Sequence, residues 1–497
     1  MHVAQSGTRI LFGLSCSLLL WVSGCTVGPD FVRPTPTAPN DWTTWRSSDK
    51  SLHDAGIDDA VLQPDWWLAF DDPVLNPVQQ RALGASPDLL TAALHVAEAR
   101  TQRSTAEAQY GPDVNLNASV NRQRASELGA GVRLIDVLGA DTETIGKLIA
   151  QPFNLYQAGF DASWEPDLWG RVRRSIEAAD ADVDQQAALL DMARLSVASD
   201  LARNYFELRT VQRQIALTNE DIALLSDRLG LLQSRVDAGV IDYLDLDRQE
   251  SELEGLKARM PALLAQEGGS ANRIALLVGE HPGALQDDLK PTQDTPAHAL
   301  PDLALGVPAE IAERRPDIRA AEAELRAATA SVGIAEAELY PAIRLGAKFG
   351  YESYLEDEFT DWKTRTWSIA PMLELPLFDH GRRRSVVELR TLQQQEAAIS
   401  YHTTVLRAWG EIDDSLSGYT AEREEGEHLN AREHAARDAY ELASAKYNAG
   451  AVDFLVVLDA QRNWLQARRE RADSEGALAI KWVAVNKAIG NAPSSTQ

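Results

Sequence analysis

The chain has 497 residues, 44% of them hydrophobic and 25% charged, and carries a net charge of −26 at pH 7. Beyond the first 24 residues no apolar run reaches the roughly 20 residues that a membrane-crossing helix needs, which excludes a multi-helix transporter. An acid excess of this size repels polyanions and excludes nucleic-acid binding through a basic face, while the two cysteines, Cys16 and Cys25, can build neither a disulfide scaffold nor a cysteine metal site.

Arg9 supplies a positive segment, Leu11 to Val22 an apolar stretch of signal-peptide length, and Ser23-Gly24 small residues just before Cys25. Residues 1–24 therefore read as an export signal. Small residues ahead of a cysteine resemble the lipobox of bacterial lipoproteins, which implies cleavage before Cys25 and a covalent lipid on it, several acyl chains anchoring firmly where one is reversible. Under that resemblance Thr26, in place of Asp, implies sorting to the outer membrane. Residues 26–66 are rich in Pro, Thr, Asp and Trp without periodicity, which predicts an extended arm or tether.

The remainder is a tandem repeat. Ser86-Pro87-Asp88-Leu89 opens a helical pattern that ends at Tyr110-Gly111-Pro112, and Arg315-Pro316-Asp317-Ile318 opens another that ends at Tyr340-Pro341, with both prolines recurring 229 residues apart. Gly170 and Gly381, then Gly239 and Gly450, recur 211 apart, so the first copy holds 18 extra residues between Pro112 and Gly170. Each copy starts with a helix, Pro87 to Tyr110 or Pro316 to Leu339, with Pro at its first position and Asp in its first turn, where a missing amide costs nothing and a carboxylate meets the positive helix end. Period-2 alternation follows: Val114, Leu116, Ala118 and Val120 in one copy, Ile343, Leu345, Ala347, Phe349 and Tyr351 in the other, with return segments near Phe153 to Trp164 and Trp367 to Leu377. These predict two hairpins with loops at about 123–150 and 352–362.

A very long helix comes next in each copy, about Val172 to Val236 and Arg383 to Tyr447, with an apolar stripe at steps of three and four through Ala188, Met192, Leu195, Ala198 and Ala202. About 65 residues at 1.5 Å each is roughly 100 Å, and an amphipathic helix of that length must pack along others. After the Gly239 and Gly450 turns, helices from about Asp245 to Leu277 and Val456 to Ile489 close the copies, with a kink predicted at Pro261. Strands of 10 to 12 residues have the length of tilted outer-membrane strands. Four of them cannot close a barrel, and open edges in hydrocarbon are prohibitively costly, so several chains must share one barrel; three give 12 strands.

Cys25-Thr26-Val27-Gly28-Pro29-Asp30-Phe31, the stretch from Gly306-Val307-Pro308 to Arg314-Arg315-Pro316-Asp317-Ile318, and the paired Ala-Gly turns followed by Leu458-Asp459-Ala460-Gln461 resemble the outer-membrane factor family, the TolC-like, NodT-type lipoprotein component of tripartite efflux pumps. The resemblance spans nearly the whole mature chain. It implies a mainly α fold with transmembrane β structure: a homotrimeric channel with a 12-stranded outer-membrane barrel, an α-helical barrel in the periplasm and an equatorial domain. It also implies a periplasmic adaptor and an inner-membrane transporter of the resistance-nodulation-division (RND) type as partners, and passive export of drugs, solvents, dyes or metal ions without enzymatic chemistry or a cofactor. The chain then divides into a signal peptide (1–24), a lipid-anchored arm with equatorial contacts (25–85), a first repeat (86–285), a linker (286–305), a second repeat (306–490) and a C-terminal tail (491–497).

By the same resemblance Gly450 begins the turn at the periplasmic tip, Leu455 matches an apolar constriction and Asp459 an aspartate ring; three copies of Asp459 would make a negative, cation-favouring mouth. Asp453 and its repeat mate Asp242 fit turn capping and a gate role equally. Leu246-Asp247 and Leu458-Asp459 stand 212 apart, so the two tips differ by one residue. The scattered histidines show no HExxH or other metal-ligand spacing, and no GxSxG, P-loop or dinucleotide fingerprint occurs. Arg171, Arg173 and Arg174, with Arg382-Arg383-Arg384 in the second copy, read as ion-pairing partners more simply than as a phosphate site. Two other functions stay open: the channel of a type I protein-secretion system, and a coiled-coil lipoprotein scaffold without a channel.

Overall fold

A computed structural model describes residues 26–493, apart from 36–37, 40, 43, 54–56, 59–62, 130–131, 134–136, 138, 140, 292–299, 302 and 306. The expected signal peptide and Cys25 lie outside the described residues. In chain order the elements are β1 (Ile57–Asp58), α1 (Leu75–Ala85), α2 (Pro87–Ala108), β2 (Asp113–Gln123), α3 (Thr142–Ile149), β3 (Phe153–Trp164), α4 (Arg171–Asp237), α5 (Tyr243–Val278), β4 (Leu303–Ala304), α6 (Pro308–Arg314), α7 (Pro316–Ala337), β5 (Ala342–Ser353), β6 (Arg365–Glu374), α8 (Arg382–Asn448) and α9 (Phe454–Ala488). The long helices α4 and α8 have 67 residues each. The order helix, hairpin, long helix, closing helix holds in both copies.

The chain splits into two compact units, each drawing on both repeats. One contains residues up to Val32, Arg100–Ala181 and Arg326–Glu396; the other contains Arg33–Ala99, Asp182–Leu325 and residues from Ala397 onward. In the first unit the two hairpins join into one antiparallel sheet of order β2-β3-β5-β6. Its N-terminal segment is pinned rather than loose. Val27 N–H donates to the Trp169 carbonyl at 3.1 Å, and Arg174 donates to the carbonyls of Val27 and Gly28 at 3.2 and 3.1 Å and to Asp30 and Glu177 at 2.8 and 2.7 Å. Gly28 has φ +90° and lies so close to α7 that a Cβ on it would sit 2.4 Å from the Gly333 Cα, which only glycine permits. The arginines at the start of α4 are thus structural ligands of the chain itself.

The second unit is built around the buried cluster of Trp66, Phe70, Leu201, Tyr205, Leu416 and Trp482. The segment expected to be an extended arm takes part in it. Trp66–Phe70 forms a 3-10 turn, and Asp72 accepts from the Val74 and Leu75 N–H groups at 2.7 and 2.9 Å, starting α1, a helix the sequence reading did not anticipate. Further back, the rings of Trp42 and Trp45 pack on Trp409 at 6.4 and 6.2 Å, and Asp413 accepts from Arg46 at 2.6 Å and from the Ser47 N–H at 2.9 Å. A face of α8 at 409 and 413 is therefore covered by Trp42, Trp45, Arg46 and Ser47. The equivalent face of α4 is covered by 70–79, through Phe70 on Phe206 at 4.8 Å and Gln79 donating to the Ala198 carbonyl at 2.9 Å.

Three further features fill in the predicted outline. The loop near 123–150 contains α3, whose first amides bond to Asp141 at 3.2 and 3.3 Å. Next to the expected linker, Leu289, Leu303 and Leu305 are buried, and β4 pairs in parallel with β1. Pro261 falls inside α5, within the helix expected there.

Candidate channel wall and helix tips

Register sorts the sheet into two chemically distinct faces. Leu116, Phe160, Phe349 and Trp367 stand opposite one another across all four strands, and one residue along, Asn115, Asp161, Lys348 and Ser368 do the same on the other face. One face is therefore apolar, and every member of its row is exposed in the single chain; the other suits water. Among the described residues β2 and β6 pair on one side only, and with four strands alternating in direction these two edges run antiparallel to each other. The β6 edge of one copy can thus receive the β2 edge of another, continuing the same pattern, and the described residues offer no closure within one chain. No described helix is long and apolar enough to cross a membrane.

At the far ends of the long helices both turns have the same build. Gly239 and Gly450 take φ +69° and +73° and donate to the carbonyls of Val236 and Tyr447, while Val240 and Ala451 N–H donate to those of Arg235 and Lys446 at 2.9 Å each, the helix-ending pattern that glycine allows. Asp242 and Asp453 occupy the N-cap positions of α5 and α9 with extended backbone, but neither side chain makes a capping hydrogen bond and both are exposed. Leu455 is 53% exposed, and Asp459 is exposed, accepting from Asn463 at 3.5 Å. Leu232, Val236, Leu246, Tyr440, Phe454 and Leu458 pack beneath them as one buried cluster. Cap positions lie 211 apart, whereas the buried Gln249 and Gln461 lie 212 apart, so the extra residue of the second tip falls within the first two turns of α9.

Above the tips, α4 and α9 meet through polar ties at heptad spacing that sequence reasoning missed. Gln214 bonds to Asp473; Asp221, 1% exposed, accepts from Arg468 at 3.1 Å and Arg469 at 3.4 Å; Arg228 donates to Gln461 and to the Tyr440 hydroxyl at 2.7 Å each. Burial pushes the Asp221 carboxyl up to about 6 despite both arginines. It also raises Asp473 and lowers Arg469. The recurrence of 214, 221 and 228 at steps of seven on a helix was the available signal, hidden because isolated polar residues on a charged helix read as a solvated face. No group of three or more His, Cys, Asp or Glu among the described residues is placed to hold a metal ion.

Comparison with known proteins decides the family. The pattern described as "Outer membrane efflux protein" matches residues 78–280 and 307–491. The chain belongs to the outer membrane efflux protein family. It is 31% identical to nodulation protein T of Rhizobium leguminosarum bv. viciae, over 96% of this chain and 93% of that protein. To outer membrane protein OprJ of Pseudomonas aeruginosa it is 30% identical, over 96% and 95% of the two chains. The solved outer-membrane channel OprN superposes with a TM-score of 0.83 at 31% identity, covering 94% of this chain and 99% of that one. The chain is thus an outer-membrane efflux channel protein of the TolC-like, NodT type, and not an enzyme.

Proposed function

We propose that three copies of this chain form the outer-membrane duct of a tripartite RND-type efflux system, passing small molecules such as drugs, solvents, dyes or metal ions from an inner-membrane transporter and periplasmic adaptor to the exterior. The observation that carries this reading is the sheet: one apolar face, one polar face and two complementary open edges, a combination stable in lipid only if other copies close it into a barrel. Twelve strands follow from three copies of four. The repeats 86–285 and 306–490 supply equivalent hairpins and long helices, and residues 25–85 supply the anchor and the packing arm. Cys25 carries the lipid, a reading supported by the small residues before it and by the pinning of Val27 to Asp30 immediately after it.

The Gly239 and Gly450 turns form the periplasmic mouth, closed by Leu455 and Asp459, with Asp453 and Asp242 beside it. Exposure of a leucine and three aspartates at two tips supports this assignment, since no described residue buries them. Purified protein in a planar bilayer tests it: Leu455→Ala with Asp459→Ala should raise conductance and weaken cation preference, whereas a variant as silent as the parent would contradict the gate. Metabolic labelling with a fatty acid should mark the parent and be lost in Cys25→Ala; label that persists would remove the anchor from Cys25.

A further inference from the structure

The face of the sheet that carries Leu116, Phe160, Phe349 and Trp367 can be followed to both of its ends. Its outermost members where the helices join are Val114, Trp164, Ile343 and Leu373; where the hairpin loops join they are Arg122, Asn154, Ser353 and Arg365. Among the paired positions of this face Arg122 and Arg365 are the two that carry charge, and both stand at the loop end. A charge on a lipid-facing strand is costly at mid-membrane and cheap only near the interface. The same tolerance applies at the helix end, yet all four outermost residues there are apolar, so the basic rim belongs to one leaflet alone.

Four cations flank the strand ends at the loops: Arg122, Arg124, Lys363 and Arg365. Two are neutralised within the chain, Arg124 by Glu127 at 2.8 Å and Lys363 by Glu358 and Asp361 at 2.5 and 3.4 Å. Glu356, also at this end, accepts from the Tyr156 hydroxyl at 3.3 Å. Arg122 and Arg365 are exposed, and neither has a carboxylate within ion-pair distance among the described residues. Arg365 is braced instead: its Nη1 donates to the Trp362 carbonyl at 2.7 Å and its guanidinium lies 4.4 Å from the centre of the Trp362 ring, which leaves the other N–H groups of the fork open. The two outward-facing cations are thus the ones left for a partner outside the chain.

We propose that Arg122 and Arg365 form a cationic rim that binds the phosphates of the outer-leaflet glycolipid, with the acyl chains of that lipid lying along the apolar face below. This rests on the reading of the sheet as part of an outer-membrane barrel wall whose loop end is exterior. A guanidinium fork donates two parallel hydrogen bonds to a phosphate and is less strongly hydrated than an ammonium, which suits a site at the edge of hydrocarbon. A free phosphate would meet only the charge, whereas a phosphorylated lipid meets the charge and the apolar row together. β2 and β6 are the edge strands of the sheet. Pairing between copies therefore places Arg365 of one copy and Arg122 of the next on the two strands that meet at each boundary.

The purified full chain, stripped of lipid in a neutral detergent and titrated with diphosphorylated lipid A, tests this by native mass measurement of the lipid bound. Arg122→Gln with Arg365→Gln should bind at least about tenfold more weakly than the parent, the loss of roughly one charge-assisted hydrogen bond. Lys348→Gln, on the polar face of the same sheet, should bind as the parent does. Lipid A without its phosphates should bind the parent as weakly as intact lipid A binds the double variant; this arm uses the parent alone and decides the case if the variant does not fold. Equal binding by parent and double variant, or equal binding of lipid A with and without phosphates, overturns the rim. Displacement of lipid A by inorganic phosphate would make it a free-anion site and overturn the lipid assignment. Flotation of the parent with phosphatidylcholine vesicles formed by detergent removal separates the two readings: a chain that floats keeps the barrel wall whatever becomes of the rim, and a chain that does not float loses the barrel wall and the rim with it.

Discussion

Asp413 shows how single residues hold the N-terminal arm in place. Burial pushes its carboxyl up, but hydrogen bonds from Ser47 and Arg46 outweigh burial and hold it below the ordinary carboxylate value. Both partners are shielded, with side chains of Arg46 and Asp413 only 3% and 10% exposed, so the tie is not screened as a surface pair would be. The stability it contributes is complete above the ordinary carboxylate range and is lost as the pH falls through and below it. Asp413→Asn should lower stability by about 1.5–3 kcal/mol at neutral pH, and the difference from wild type should shrink in acid, as followed by thermal melting of the detergent-solubilised protein. An equal difference at all pH values would mean that packing rather than charge fixes the arm. The clasp at Gly28 works differently, through backbone proximity to Gly333, and no hydrogen-bonding side chain can replace it.

Among the elements, the paired turns at Gly239 and Gly450 are the clearest products of duplication. Each needs a left-handed residue to satisfy the last carbonyls of a 67-residue helix, and around each there is open space for a side chain. Gly450→Ala should therefore cost only the conformational penalty, about 1 kcal/mol, in the same melting assay; a much larger loss would reveal a steric contact at the tip. These turns, the long helices and the hairpins were legible because each is written locally: positive-φ chemistry at a turn, a 3.6-residue stripe over many turns, alternation over a dozen residues. α1 was hidden by Pro77 and Gly84 within its 11 residues, and α3 by its length of eight. Packing of Arg46 and Ser47 on α8 joins positions more than 360 apart in sequence, and no local pattern encodes it. Among the candidate gate residues, the turn glycines and Asp453 could be placed from the repeat, but the burial of Asp221 depends on which face of α4 meets α9, a tertiary choice that the charged sequence around it masks.

At the scale of the whole molecule, the composition that resembles a large acidic soluble protein has a structural explanation. Among the described residues, four strands of 10 to 12 residues are the part suited to lipid, and most of the rest is helix. The same sheet makes the single chain incomplete. Leu116, Phe160, Phe349 and Trp367 expose an apolar row that hydrocarbon would cover, but the backbone groups along β2 and β6 have no partner that lipid could provide. Only another copy supplies one, and the antiparallel relation of the two edges lets identical chains add in a closed ring. Native mass measurement of the detergent-extracted protein tests this most directly: the account predicts an assembly of three chains, and a stable single chain or a pair, giving four or eight strands, would contradict it.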